Sequence, residues 1–300
     1  MRRIPLTNDI MFKSVFGRDT NTHILMPLLN SVLGFTESNR IEKAEILNPF
    51  RYGEKVKDRT VILDIATTDS QGRRYNIEMQ VERDTTFIPR VIFYHDLLYV
   101  SQLSRGINFN TLKKTLSISF VDFLLFTDYP AVHSRFCYRE LDYGFLLSDI
   151  KELHFLELPK FNGEALESLE TSLDRWLHVL IFSLKYASIK LEIPAELRAE
   201  EGIEMAIDAY RKSLADRKVQ NMIRLREKAE LMTATKITLA REEGRAEGKA
   251  AGRDEGRTEE KYEIARKLGA LGEDISKIAL ITGLSEDIVR SLLEKPSRAG

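Results

Sequence analysis

Apolar and polar positions change period several times along this chain, and each change predicts an element. From Arg74 to Glu82 the alternation is strict: Tyr75, Ile77, Met79 and Val81 fall on one side, Asn76, Glu78 and Gln80 on the other. That period of two predicts a strand. Val61–Thr67 (VILDIAT) predicts a second strand, joined to it through a turn at Asp69-Ser70-Gln71-Gly72. Arg40–Asn48 predicts another before Pro49, Leu116–Phe126 a strongly buried one, and His133–Tyr143 and Leu153–Leu158 two more. Helical spacing takes over elsewhere. Thr7-Asn8-Asp9 caps a helix carrying Ile10, Phe12, Val15 and Phe16 that closes at Gly17. A second helix runs from about Asp19 to Leu33, with Pro27 kinking it or marking a later start. Thr86–Arg105 repeats apolar residues at helical spacing up to Gly106. The order helix, helix, three strands, helix, strand fits a mixed α/β core with a crossover helix.

Beyond Leu166 the pattern turns helical and stays so. Trp176, Leu177, Leu180, Ile181 and Leu184 form a core-facing stripe, and after Pro194 a long charged helix is expected over Ala195–Arg241. A four-residue repeat follows, with Gly244, Gly248, Gly252 and Gly256 in step. Each glycine costs about 1 kcal/mol relative to alanine in a helix, so the four together cost about 4 kcal/mol. The reading is a solvated, fraying linker over 242–260; the alternative is a helix whose bare face packs on a partner helix. The remaining segment, 261–300, reads as short helices, with Ser285 capping the last. Joined at Thr282-Gly283, two of them have the outline of a helix-turn-helix, but Glu286 and Asp287 at the start of the second would repel DNA. Four segments result: a core over 1–160, a helical extension over 161–241, the repeat over 242–260 and the terminal segment.

Composition narrows the class. The 300 residues, 43% hydrophobic and 30% charged, suffice for a sizeable core with appended helices. Lys and Arg number 45 against 46 Asp and Glu, so a nucleic-acid partner would have to be met by a local basic patch. Cys137 is the only cysteine, which excludes an intrachain disulfide and a cysteine-based zinc site and suits a reducing cytoplasm. The basic N-terminus lacks an apolar signal core, and no long apolar stretch is present, so no membrane span is expected. The histidines show no metal-ligand spacing.

The candidate chemistry lies on the hairpin. Asp64 and Glu78 on neighbouring strands are oxygen donors suited to Mg²⁺ or Mn²⁺, with the backbone carbonyl of Met79 as a third. A cation held there would neutralise phosphate charge and lower the pKa of an attacking water. Asp64, set between Leu63 and Ile65, needs a partner: a metal, or a base such as Lys57, Arg59 or Arg74. For Glu78 the alternative is a solvated strand face.

This combination resembles the PD-(D/E)XK nucleases, in which Asp is followed on the next strand by Glu-x-Lys. The variant with Gln for Lys resembles the recombination-promoting nuclease family, also called PD-(D/E)XK nuclease family transposases. The matching residues are Leu6–Gly17, Leu29–Gly34, Lys57-Asp58-Arg59, Leu63-Asp64-Ile65, Gly72–Gln80, Arg90, Tyr94, Tyr99 and Gln102–Gly106. The resemblance implies a restriction-endonuclease-like mixed sheet flanked by helices, followed by a helical C-terminal extension. It also implies a Mg²⁺-dependent DNA endonuclease linked to recombination or mobile elements. By position Asp64 and Glu78 would be metal ligands and Gln80 would stand where the lysine is usual. Glutamine can orient water but brings no charge. Asp9 or Glu45 would be a further carboxylate, and Lys13 a phosphate contact. Lys55, Lys57 and Arg59, with Arg51 before them and Arg105, Lys113 and Lys114 further on, are candidate DNA-facing charges. The competing readings are a nuclease-like module without catalysis that binds DNA or protein, and a scaffold in which the C-terminal helices self-associate.

Overall fold

The computed structural model describes residues 3–47, 64–103 and 108–294. Two units are distinguished, Met1–Arg224 and Leu225–Gly300.

In the first unit, helix α1 (Asp9–Phe16) starts where the Asn8 side chain accepts the Met11 N–H, and ends where Gly17 N–H reaches Lys13 O. A side chain at Gly17 would meet Lys13 O at 2.8 Å and Ile65 Cγ1 at 3.2 Å, so glycine is what lets α1 end against the sheet. After a short 3₁₀ turn (Asp19–Asn21), α2 (Thr22–Leu33) runs through Pro27 and stops at Gly34, whose φ of +64° is the left-handed helix terminator.

The strands β1 (Ala44–Ile46), β2 (Ile65–Asp69), β3 (Arg74–Gln80), β4 (Thr115–Val121), β5 (His133–Arg139) and β6 (Leu146–Glu157) form one sheet in the order β1-β2-β3-β4-β6-β5. The β1–β2–β3 and β6–β5 pairings are antiparallel; β3–β4 and β4–β6 are parallel. The parallel step from β3 to β4 needs a crossover, supplied by α3 (Phe87–Val100). This is the expected fold class: a mixed sheet between helices, with a helical C-terminal region.

Both faces of β3 are covered. Tyr75, Ile77 and Met79, with Leu116, Ile118 and Phe120 of β4, join the main core with Phe12 and Phe16 of α1, Leu25 and Leu28 of α2, and Trp176 and Leu177 of α4 (Ser172–Ile181). Phe12 stacks on Phe120 at 5.6 Å. The opposite face is polar yet buried: Asn76, Glu78, Ser117 and Ser119 lie at 1–6% exposure. Helix α3 covers it, with His95 Nδ1 2.9 Å from Ser117 Oγ and Leu98 against Ala66. The alternative of a solvated face for Glu78 is thereby overturned.

Several boundaries differ from expectation. The first strand is shorter, and β2 runs to Asp69 with Asp64 just before it; 61–63 fall outside the described residues. β4 ends at Val121, because β3 ends opposite it, and Phe123, Leu125 and Phe126 turn into a side cluster around Phe87 and Phe155. β6 starts earlier, at Leu146. Leu184 leaves the stripe of α4, which ends at Ile181.

The helix expected over 195–241 is three: α5 (Ala195–Arg198), α6 (Ile203–Ala215) and the start of α7 (Arg217–Ala270). Gly202, at φ +83° and with no room for a Cβ beside Pro27, separates the first two. Extended Asp216 separates the next.

In the second unit α7 continues through the glycine repeat, correcting the linker reading of 242–260. The flanking Ala, Glu, Arg and Lys are strong helix formers and outweigh the four glycines. Beyond it, α8 (Ile275–Thr282) and α9 (Glu286–Glu294) fold around Ala265, Ile278 and Val289. Gly283, at φ +68°, makes the turn between them.

Candidate active site

The hairpin register builds the site. Ile65 pairs with Ile77 in an antiparallel ladder, so one step further Asp64 comes opposite Glu78. Arg74 N–H bonds Lys114 O and Gln80 O accepts from Asp122 N, so even-numbered residues of β3 turn their backbone groups toward β4. The alternation turns the N–H and C=O of Met79 the other way, toward the β2 side where Asp64 sits. A backbone bond from Met79 to Asp64 agrees with that placement.

Glu78 is 6% exposed, and its carboxylate Oε1 accepts a 2.9 Å hydrogen bond from Asn76 Nδ2. Burial pushes its pKa up to about 7; the Asn76 bond opposes the rise, the Asp64 charge adds to it, and Arg90 and Lys13 pull it back. The Asp64 carboxyl is also raised, first by desolvation, against the pull of Lys13, and further by Asp9. Among the described residues it pairs with Lys13 of α1, with Nζ 3.7 Å from Oδ1 and both side chains 40% exposed. Asp64, 40% exposed, does not lie in a dry interior. Of the bases considered for it, Arg74 bonds Ser101 instead, and Lys57 and Arg59 fall outside the described residues.

Asp9 thus belongs to the site's electrostatics, from the first turn of α1, where its carboxylate also accepts the Ile10 N–H. Glu45 does not: it is exposed and pairs with Thr68, four residues, or about 13 Å, along β2 from Asp64. Gln80 has its amide engaged, Nε2 donating to Glu82 O at 2.8 Å and Oε1 accepting from Arg90 at 3.2 Å. Arg90 is the residue the strand pattern could not reveal. It lies on α3, also pairs with Asp84 at 2.9 Å, and is the one Arg or Lys of that helix. Lys55, with Lys57 and Arg59, falls outside the described residues, as does Arg105. Lys114 is engaged by Asp149 and Glu152, both at 2.9 Å.

Among the described residues no group of three or more His, Cys, Asp or Glu is arranged to hold a metal ion. The donor set still fits a hard cation that accepts one or two carboxylates and takes its other oxygens from solvent and substrate. Two facing carboxyls, each raised by burial and by negative neighbours, are relieved by a doubly charged ion.

A mixed six-stranded sheet with helices on both faces defines a nuclease-like class of fold, and here it carries acidic residues at one end of its β2–β3 hairpin. The family model described as PD-(D/E)XK nuclease family transposase matches residues 6–240, and the chain belongs to that family. Neither a curated protein nor a solved structure matches it. No helix among the described residues is long and apolar enough to cross a membrane.

Proposed function

We propose that this chain is a Mg²⁺- or Mn²⁺-dependent endonuclease that hydrolyses DNA phosphodiester bonds in the cytoplasm, in recombination or the movement of genetic elements. The observation that carries the proposal is that Asp64, one residue beyond the Ile65–Ile77 pair, lies close enough to Glu78 for its charge to act on it, with Glu78 buried and its carboxyl raised to about 7. Asp64 and Glu78 would hold the cation, with the Met79 carbonyl beside them. Bound there, the cation would supply charge neutralisation and an acidified water. Lys13 stands where an ammonium can meet the charge developing on phosphate, the contribution that Gln80 lacks. Gln80, tied to Arg90, holds that guanidinium at the rim of the site.

A non-catalytic, DNA- or protein-binding module draws on one observation: the Gln80 amide is committed at both ends. Plasmid nicking separates the two. The intact chain with Mg²⁺ should relax supercoiled DNA, and Asp64→Ala and Glu78→Ala should each lower the rate by about 10³-fold, the scale of losing a principal electrostatic group. Nicking that persists unchanged in both variants rejects the assignment.

A further inference from the structure

Asn76 is 1% exposed, two residues before Glu78 on the same face of β3. Its Nδ2 donates to Glu78 Oε1, the one hydrogen bond that carboxylate receives among the described residues. Its Oδ1 is buried and has no hydrogen-bond partner among the described residues. The amide could not be turned round to help, because an ionised carboxylate only accepts. An unsatisfied buried carbonyl is unfavourable, and an apolar side chain of the same shape would remove it. Asn76 is therefore a poor choice for stability. The neighbours across the ladders, Ala66 and Ser117, are small, and Glu78 is the one hydrogen-bond partner of the Asn76 amide among the described residues.

We propose that Asn76 is a positioning residue of the Asp64–Glu78 centre: it clamps Oε1 of Glu78 and leaves Oε2 uncommitted for the ligand. A glutamate has three side-chain torsions to fix before it can ligate, and holding one oxygen from a rigid strand removes most of that freedom. The inference rests on the metal-binding reading above and refines it. The neighbouring Gln80 cannot substitute, because its amide is bonded to Glu82 and Arg90.

The test is calorimetric titration of Mn²⁺ into the full chain, with thermal melts run in chelator, for the parent, Asn76→Leu, Asn76→Thr and Glu78→Gln. Asn76→Leu strips the amide and should melt at or above the parent while binding Mn²⁺ at least about tenfold more weakly, the usual scale for losing a group that orients a ligand. Asn76→Thr, whose hydroxyl keeps a donor on that face, should recover most of the affinity. Leucine binding at parental affinity while Glu78→Gln has lost the ion overturns the positioning role and leaves the metal site standing. Unchanged binding in Glu78→Gln overturns the metal site itself. An Asn76→Leu chain that fails to fold, or melts well below the parent, assigns Asn76 to stability and also overturns the proposal, as does a threonine variant no better than leucine.

Discussion

Two buried glutamates at the C-terminal ends of neighbouring regions of the sheet have opposite surroundings. Glu157, at the end of β6 and fully buried, accepts the backbone N–H groups of Leu125 and Phe126 at 2.6 and 3.1 Å and pairs with Lys160 at 2.5 Å. Glu78, 6% exposed at the end of β3, has one amide bond and a facing carboxylate. The first is a carboxylate the fold has fully satisfied, stitching a loop and a 3₁₀ turn to the sheet. The second is left wanting positive charge. Depth alone does not distinguish the two carboxylates; their partners among the described residues do. Asp69, at the far end of β2 from Asp64, repeats the lesson: two backbone N–H groups, Arg73 and Tyr75 all converge on it.

The largest effect expected from this contrast is on stability. Glu157→Ala leaves the buried Lys160 ammonium without its counter-ion, though still bonded to Phe126 O and Tyr129 O, and two N–H groups without their acceptor, and should destabilise by roughly 3–5 kcal/mol. Glu78→Gln, which removes a poorly compensated charge, should leave the melting temperature in chelator unchanged or higher at pH 7. Denaturant unfolding of both variants checks this. Equal losses would erase the distinction between the two sites.

The next effect is a dependence on pH. Glu78 shifts from 4.5 to about 7 on folding, so the native state binds more protons than the unfolded chain between those values. Its stabilising contribution is complete below about pH 4.5 and is lost as pH rises through about 7, a swing on the order of 3 kcal/mol. In chelator, the stability of the parent minus that of Glu78→Gln should therefore fall across pH 4.5–7. Saturating Mn²⁺ should restore the parent alone above pH 7, because the ion binds the ionised form. A flat difference curve would mean that Glu78 is not the strained carboxylate of the site.

Much of this was legible beforehand, and the parts that were not have a common cause. Alternation placed Asn76, Glu78 and Gln80 on one face, and hairpin geometry set Asp64 against Glu78. Alternation cannot say what lies over a polar face: the solvated face stayed open as the alternative for Glu78 until α3 is seen to cover Asn76 and Glu78. Nor can it find Lys13, 51 residues from Asp64 in sequence and brought beside it by the packing of α1 on the sheet. Glu45 failed for the same reason in reverse, since the short β1 pairs with the wrong end of β2. The glycine repeat was misjudged because the summed cost of its four glycines was not set against the helix-forming Ala, Glu, Arg and Lys around them.

The smallest effect separates the two lysine positions. If Lys13 supplies the cation that the Glu-x-Gln strand lacks, Lys13→Met should slow nicking about tenfold, or about 1.4 kcal/mol of barrier. It should change stability by less than about 1 kcal/mol, because the Lys13–Asp64 pair is half exposed. Gln80→Lys in the parent should do little, since its ammonium would sit beside Arg90 and lose the acceptor that Gln80 offers. In the Lys13→Met background the same change should recover activity, because one ammonium then serves where none was left. The comparison needs four rates under one set of Mg²⁺ and salt conditions. If Gln80→Lys accelerates both backgrounds alike, the two positions act independently. If, besides, Lys13→Met leaves the rate unchanged, Lys13 is a surface lysine paired with Asp64, and the positive charge of the site has to be sought in Arg90.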